Sequence, residues 1–278
     1  MIESISTEIR GNPPMMVAVL IIVLYVATAF LAPVVAPNDP NVQNLRRTLE
    51  SPSREFPLGT DEYGRDLLSR LIYATRSSIV VAMSVVLASA LVGTVLGIIA
   101  GYRGGFADSL LMRASDIMMA FPSLVLALGL IAAIGPGLRG TIIALAIAYT
   151  PVYARIVRGN VLSIKEEAYI ESAQTIGVRG IRIAFRHVLP NVAGPVLVQG
   201  ALTFAFAVLS EAGLSFVGLG VAPPTASFGN IIASGRDYIS TAPWISTSSG
   251  IATVAIVLSL LIVADGLRDA LDPYQHRF

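Results

Sequence analysis

Cysteine is absent from all 278 residues, which excludes disulfides, iron–sulfur clusters and thiol nucleophiles together. Charge is scarce as well. Only 13% of residues are Asp, Glu, Lys or Arg, against roughly 25% in a soluble globular domain. Of the nineteen basic residues only Lys165 is a lysine, and Ile164 precedes it, so no Gly-Lys-Ser/Thr exists and the chain has no phosphate-binding P-loop. There are two histidines, His187 and His276. Neither is followed by Glu, which removes the His-Glu-x-x-His zinc site, and no Gly-x-Ser-x-Gly nucleophile elbow occurs. A net charge of +1 argues against a nucleic-acid partner, which calls for a basic face or stripe. No catalytic residue and no metal site is expected, and the chain is not itself an enzyme or an ATP-driven motor.

What remains is apolar: 54% of residues are hydrophobic, gathered in long runs. About twenty such residues span a bilayer, so the expected fold is all-α, a polytopic membrane protein with six transmembrane helices. The expected layout is an N-terminal segment over 1–14, spans over 15–35, 77–100, 110–134, 141–158, 196–217 and 244–267, and a tail over 268–278. Between the spans lie a long outer loop over 36–76, a polar loop over 159–195 and a second outer loop over 218–243. Ala27-Thr28-Ala29 has the form of a signal-peptidase site, but the apolar run continues past it, and the first helix is expected to be retained. Ser89, Gly93, Gly97 and Gly101 recur every four residues and give the second span a face along which another helix can approach closely. Asp116 is expected to pair with Arg113, Pro151 to kink the fourth span, and Trp244 and Tyr238 to sit in an interfacial belt. With both termini and the 159–195 loop inside, the inner segments hold eleven basic residues, and six of the eight outer ones belong to the 36–76 region. That asymmetry supports the orientation.

The 159–195 loop carries its own pattern. Ser163 followed by Glu166 reads as a capping box that starts a short helix, and Gly177 reads as its stop. A second short helix is expected from Ile181 to Leu189, with Ile181, Phe185 and Val188 on one side, Arg182 and Arg186 on the other, and Pro190 ending it. Two amphipathic helices outside a membrane need a partner for their apolar faces.

Glu171-Ser172-Ala173, Gly177 and Leu189-Pro190 resemble the E-A-A…G…L-P loop of permease subunits of bacterial ABC importers. Ser172 replaces the second small residue, and His187 stands where many members carry an aliphatic one. The string Leu58 to Arg70, with Gly59-Thr60-Asp61, Gly64-Arg65-Asp66 and Ser69-Arg70, is similar to the signature of the dipeptide, oligopeptide and nickel branch. Leu214-Ser215-Phe216-Val217 with the loop after it resembles the second, C-type permease of peptide importers. The resemblance implies a type I importer permease fold, with Glu171, Ser172, Ala173, Gly177, Leu189 and Pro190 forming a cytoplasmic coupling loop that docks on an ATPase. It also implies a homologous permease, two ATPase subunits or domains, an extracytoplasmic substrate-binding protein, and the inner membrane as location. ATP and Mg would be held by the ATPase partners, with no cofactor on this chain. The cargo implied is peptide, with nickel or another small solute as the alternative within the family, and a self-sufficient secondary transporter as the reading from another class. Asp61, Glu62 and Asp66 lie among arginines, which suits a salt-bridged turn better than a metal cluster.

Glu211 is the one acidic residue well inside the fifth span. An ionised carboxylate facing lipid at that depth costs a few kcal/mol, so it must face a helix or water. With Ser215 one turn on, it is a candidate for the translocation pathway, and the alternative is an interhelical hydrogen bond to a sister permease.

Overall fold

A computed structural model describes residues 12–175, 178 and 180–271 of the chain. Helices dominate it, and among the described residues there is no strand beyond one isolated bridge between Thr60 and Asp66. Helix α1 spans Pro13–Val35 and opens on an Asn12 cap, whose side chain accepts from the Met15 N–H, with Pro13 and Pro14 where a missing N–H costs nothing. Helix α2 spans Leu67–Arg103, α3 Gly105–Met119, α4 Ser123–Ile134, α5 Leu138–Lys165, α6 Ala168–Thr175 and α7 Gly180–Ile183. A π-helical turn, Ala184–Val188, leads into α8, Leu189–Phe216; α9 is Phe228–Gly235 and α10 is Trp244–Leu271. Five of these are long and apolar enough to cross a membrane, and α3 with α4 makes a sixth if the bent pair is one span.

Three of these elements differ from the sequence-based expectation. Helix α2 starts at Leu67 and not at Ser77, because the Asp66 side chain caps it, accepting from the N–H groups of Leu68 and Ser69. Leu67, Leu71 and Ala74 then bury one face against Phe228 and Ile231 of α9 and Ile245 of α10, so a stretch that reads as charged loop is the first turns of a helix. The third apolar run is broken: α3 and α4 meet at 96° over residues 120–122. Pro122 is the cause, since it supplies no N–H and pushes the residue before it out of the helical region. The third difference is the end of α5. It continues to Lys165, with Ser163 in its last turn donating to the Gly159 carbonyl and Glu166 at its C-cap, so Ser163 and Glu166 close one helix where a capping box would open another.

The small face of α2 lies against α5. A methyl group on Gly97 would sit 2.6 Å from the Ala154 carbonyl oxygen and 2.7 Å from Val157 Cβ, and Gly93 and Gly101 press as closely on Tyr153 and Val161. No side chain larger than hydrogen fits at these three positions, which lets the two backbones come close together. Around it, Val81, Val85, Ile131, Leu145, Val208 and Leu214 form the central core from α2, α4, α5 and α8, with Ile256 and Leu260 of α10 closing it. One face of α1 packs on α10, where Met15 fills the notch at Gly266, and its other faces remain apolar and exposed, as a lipid-facing helix requires.

Residues 36–66 form a cap over one end of the bundle. Trp244 covers Gly59 and donates its indole N–H to the Thr60 carbonyl (3.4 Å), so this tryptophan pins the cap to α10.

Candidate functional site: the short-helix end and the carboxylate in the bundle

At the end of the bundle opposite the cap, the chain leaves α5 at Lys165, makes α6, and returns through α7 and the π-turn to α8. Ile170, Ile183 and Val188 are fully buried against Val157 and Val161 of α5 and Val192 of α8, with Ile98 and Tyr102 of α2 beside them. Ile170, Ile183 and Val188 are therefore spent on their own subunit, and that contact ties the short helices to the two helices that share the glycine seam. The Lys165 ammonium donates to the Tyr102 carbonyl (3.2 Å) and adds a tether between α5 and α2. The Tyr169 and His187 rings meet at 5.8 Å between centroids, and Asn191 donates to the His187 carbonyl (2.6 Å), which links α6 to the start of α8.

The π-turn corrects the reading of Pro190 as a stop. Proline at 190 cannot donate, and its ring collides with the carbonyl four residues back in a regular helix. The turn widens, Leu189 donates to Ala184 five residues back, and the helix runs on with Pro190 in its first turn. Leu189 and Pro190 are exposed, as are Arg182 and Arg186, so cations and a leucine are open at this end of the chain. Glu171, Ser172 and Ala173 lie on α6. Gly177 falls outside the described residues.

Beside this end, α3 is fastened to α5 by two ion pairs. Arg158 grips Asp108 with two parallel bonds (2.7 Å for Nη2 to Oδ2), and Arg155 pairs with Asp116. The expected Arg113 partner of Asp116 is thus replaced by an arginine from α5. Sequence spacing favours the neighbour one turn away, but the packing of α3 on α5 turns Asp116 to the other helix.

Glu211 is completely buried inside the subunit. Its Oε2 accepts from the Ser78 hydroxyl on α2 (2.9 Å) and its Oε1 from the Ser215 hydroxyl one turn along α8 (2.7 Å). Ser215 in turn accepts the Val221 N–H (2.9 Å), and the neighbouring Ser77 donates to the Ala226 carbonyl. Glu211 is thereby the hub of a brace that holds the 217–228 loop, and with it α9, on α2 and α8. Space enforces the same arrangement. A Cβ on Gly229 would stand 2.0 Å from the Ala212 carbonyl oxygen, and one on Gly220 would stand 2.2 Å from Ser215 Oγ. Each carboxylate oxygen therefore has a hydroxyl donor within the chain, Ser78 on α2 and Ser215 on α8. Only the Ser77-Ser78 pair inside an apolar helix marks Ser78 in the sequence.

In the cap, the turn expected from the Leu58–Arg70 string is present and ion-paired. Asp61 takes Arg65 Nε at 2.6 Å and Arg70 Nε at 3.3 Å, all three side chains being nearly inaccessible, while Glu62 stands 3.5 Å from Arg65. Gly64 has φ +69°, and a Cβ there would be 1.9 Å from the Asn44 carbonyl oxygen, so only glycine makes this turn. No group of three or more metal-binding side chains occurs among the described residues.

Residues 93–277 match the family described as the inner membrane component of binding-protein-dependent transport systems, and residues 7–52 match the N-terminal transmembrane domain of oligopeptide transport permease C. The chain belongs to this transport family. It is therefore a multi-pass inner-membrane permease, as the coupling string and the Leu58–Arg70 string suggest, and members of the family work with ATPase and substrate-binding partners. It is 44% identical over 260 residues to the di/tripeptide transport system permease protein of Pseudomonas aeruginosa, covering 91% of this chain and 86% of that one. To the dipeptide transport system permease protein of Alkalihalophilus pseudofirmus it is 39% identical over 266 residues (96% and 88%). To the glutathione transport system permease protein of Pectobacterium atrosepticum it is 38% identical over 255 residues (91% and 85%). Among solved structures, an inward-facing MetNI methionine ABC transporter superposes with a TM-score of 0.58 at 18% identity, over 73% of this permease and 97% of that chain. The last likeness is one of fold.

Proposed function

We propose that the chain is the second, C-type permease subunit of an ATP-binding-cassette importer that moves short peptides across the inner membrane. The observation that carries this is similarity along more than nine-tenths of the chain to permeases named for di- and tripeptides. In this reading the short-helix end faces the cytoplasm and the cap faces outward. A homologous permease completes the pathway, two ATPase subunits or domains supply the energy with their own ATP and Mg, and an external binding protein delivers the cargo.

Coupling would run through Glu171, Ser172, Ala173 and Gly177, with Leu189 and Pro190 at the return. Motion of α6 is passed on because Ile170, Ile183 and Val188 are packed on α5 and α8, and α5 is locked to α2 by the glycine seam. Burial of Glu211 and Ser215 supports a part in fixing the outer loop beside the pathway over direct contact with cargo.

The test is reconstitution of the permease pair with its ATPases in vesicles and uptake of a labelled dipeptide. Uptake should require both ATP and the binding protein, and Gly177→Val should assemble yet lose binding-protein-stimulated ATP hydrolysis. Uptake by the chain alone without nucleotide would overturn the importer reading in favour of a secondary transporter. Uptake confined to glutathione or nickel would reassign the cargo within the family.

A further inference from the structure

At the cap end, a cleft of about 380 Å³ opens between the cap and α2. Asp39 and Asn41 form one wall, Tyr73, Arg76 and Ser77 of α2 the floor, and residues 225–226 with Leu138 the other side. Two opposite charges face this space without meeting. Arg76 is exposed and makes no ion pair or hydrogen bond with any described residue. Asp39 uses one oxygen to accept the Asn41 N–H (2.8 Å), which shapes its own turn, and no cation among the described residues pairs with it. This contrasts with Arg65 and Arg70, eleven and six residues earlier in the chain, both neutralised by Asp61.

The walls are built. Asn38 is bonded to Ser69 through its N–H (3.0 Å) and to Asp66 through its amide (3.2 Å), while the Pro40 carbonyl accepts from Arg70 (3.3 Å), so residues 38–40 are fastened to α2. On the opposite side the Ser77 hydroxyl holds the Ala226 carbonyl. A guanidinium and a carboxylate that line one cleft without pairing, carried on backbone fastened at residues 38–40 and 225–226, are complementary to a small zwitterion.

We propose that this cleft is an outer subsite for a short peptide, Arg76 receiving its terminal carboxylate and Asp39 its terminal ammonium. The proposal rests on the peptide-importer reading and adds that the permease itself inspects the peptide's ends, apart from any selection by the binding protein.

Saturation-transfer NMR on the complete transporter in nanodiscs, without binding protein, tests it with dialanine, dialanine amide and N-acetyl-dialanine as probes. The unmodified transporter should favour dialanine by roughly tenfold over either capped form, the loss of one charge-assisted contact in each case. Arg76→Gln should bind dialanine and its amide alike, and Asp39→Asn should bind dialanine and its N-acetyl form alike. Both residues are on the surface, and unchanged gel-filtration behaviour will show that the variants are assembled. Equal binding of all three probes by the unmodified transporter, or discrimination that survives both substitutions, overturns the subsite. Weakened capture of the binding protein by Arg76→Gln, with discrimination unchanged, also overturns it and assigns the cleft to that protein. Uptake of dipeptides in vesicles by the same preparation keeps the importer reading standing if the subsite fails; absence of that uptake removes both.

Discussion

Asp61 in the cap and Glu211 in the bundle are both carboxylates with almost no access to water, yet they are satisfied by opposite means. Asp61 is held by two guanidiniums, Arg65 and Arg70, which are themselves buried. Glu211 is held by two hydroxyls, from Ser78 and Ser215, and its oxygens make no ion pair. The surroundings account for the difference. The cap is rich in charge and lies outside the apolar spans, so arginines are at hand and their long stems fill the space under the loop. Within the span an arginine would bring a second charge into hydrocarbon, whereas serines donate without adding one and are small enough for α2, α8 and the loop to close over the carboxylate.

The comparison predicts a ranking. Asp61→Asn leaves two buried cations beside each other with only Glu62 near, and breaking a buried pair from one side costs about 3–5 kcal/mol. This variant should show the largest fall in melting temperature in detergent and the lowest yield of assembled subunit. If Asp61→Asn melts within a degree or two of the unmodified chain, the arginines have another anion and the contrast between the two centres fails.

Glu211→Leu comes next, since it strands the hydroxyls of Ser78 and Ser215 in a buried site, a loss of about 1–3 kcal/mol. Glu211→Gln keeps the length and both hydrogen-bonding ends, and a serine hydroxyl can accept where it formerly donated, so the expected loss is on the order of 1 kcal/mol or less. Uptake should survive in the Gln variant and follow assembly in the Leu variant. Impaired uptake in a fully assembled Gln variant would show that the charge itself is used in transport.

The apolar runs and the four-residue spacing of Ser89, Gly93, Gly97 and Gly101 are enough to read the helical architecture and the close-packing face of α2, because in a membrane both follow from local composition, but they do not name α5 as the helix that packs there. What the sequence hides is tertiary. Arg70 reads as loop because its neutralising partner Asp61 lies nine positions back across a glycine turn, and the first turns of α2 are lost with it. Asp116 reads as the partner of Arg113 because spacing reports only neighbours on one helix, and Arg155 comes from another. Pro190 reads as a stop because proline usually is one; the π-turn that absorbs it depends on the packing of Ile183 and Val188. The Glu171–Pro190 string is marked only by its resemblance to importer permeases, whereas the cleft at Arg76 is made by residues 39, 76 and 225 meeting in space and leaves no local pattern.

An intermediate case sharpens the ranking. Arg158 and Asp108 lie between the extremes, with side chains 31% and 19% exposed and two parallel bonds between them. Arg158→Lys keeps the charge and gives up the fork, for which about 0.5–1 kcal/mol is expected. A loss as large as that of Asp61→Asn would mean that α3 depends on this one contact for its place against α5.

The smallest effect belongs to the exposed rim of the cap. Arg47 holds Glu50 with two bonds, 2.7 and 2.9 Å, also pairs with Glu55, and lies 4.4 Å from the centre of the Phe56 ring. The hydrogen bonds from Arg47 hold both carboxyls below the usual glutamate range. A carboxyl depressed in the folded chain contributes stability that is fully present above its unfolded value, about 4.3, and lost as pH falls through the lower folded values. Hydrogen exchange over residues 47–56, corrected for its intrinsic pH dependence, should therefore be flat between pH 7 and 5 and quicken only below about pH 4. Salt separates this rim from the buried pair: at ~0.5 M NaCl the 47–56 segment should loosen slightly while 59–70 does not, because screening reaches exposed charges and not those of Asp61, Arg65 and Arg70. Loosening of both segments together would mean that the rim and the Asp61 centre open as one unit, and that the cap owes its hold on the bundle to charges that water can reach.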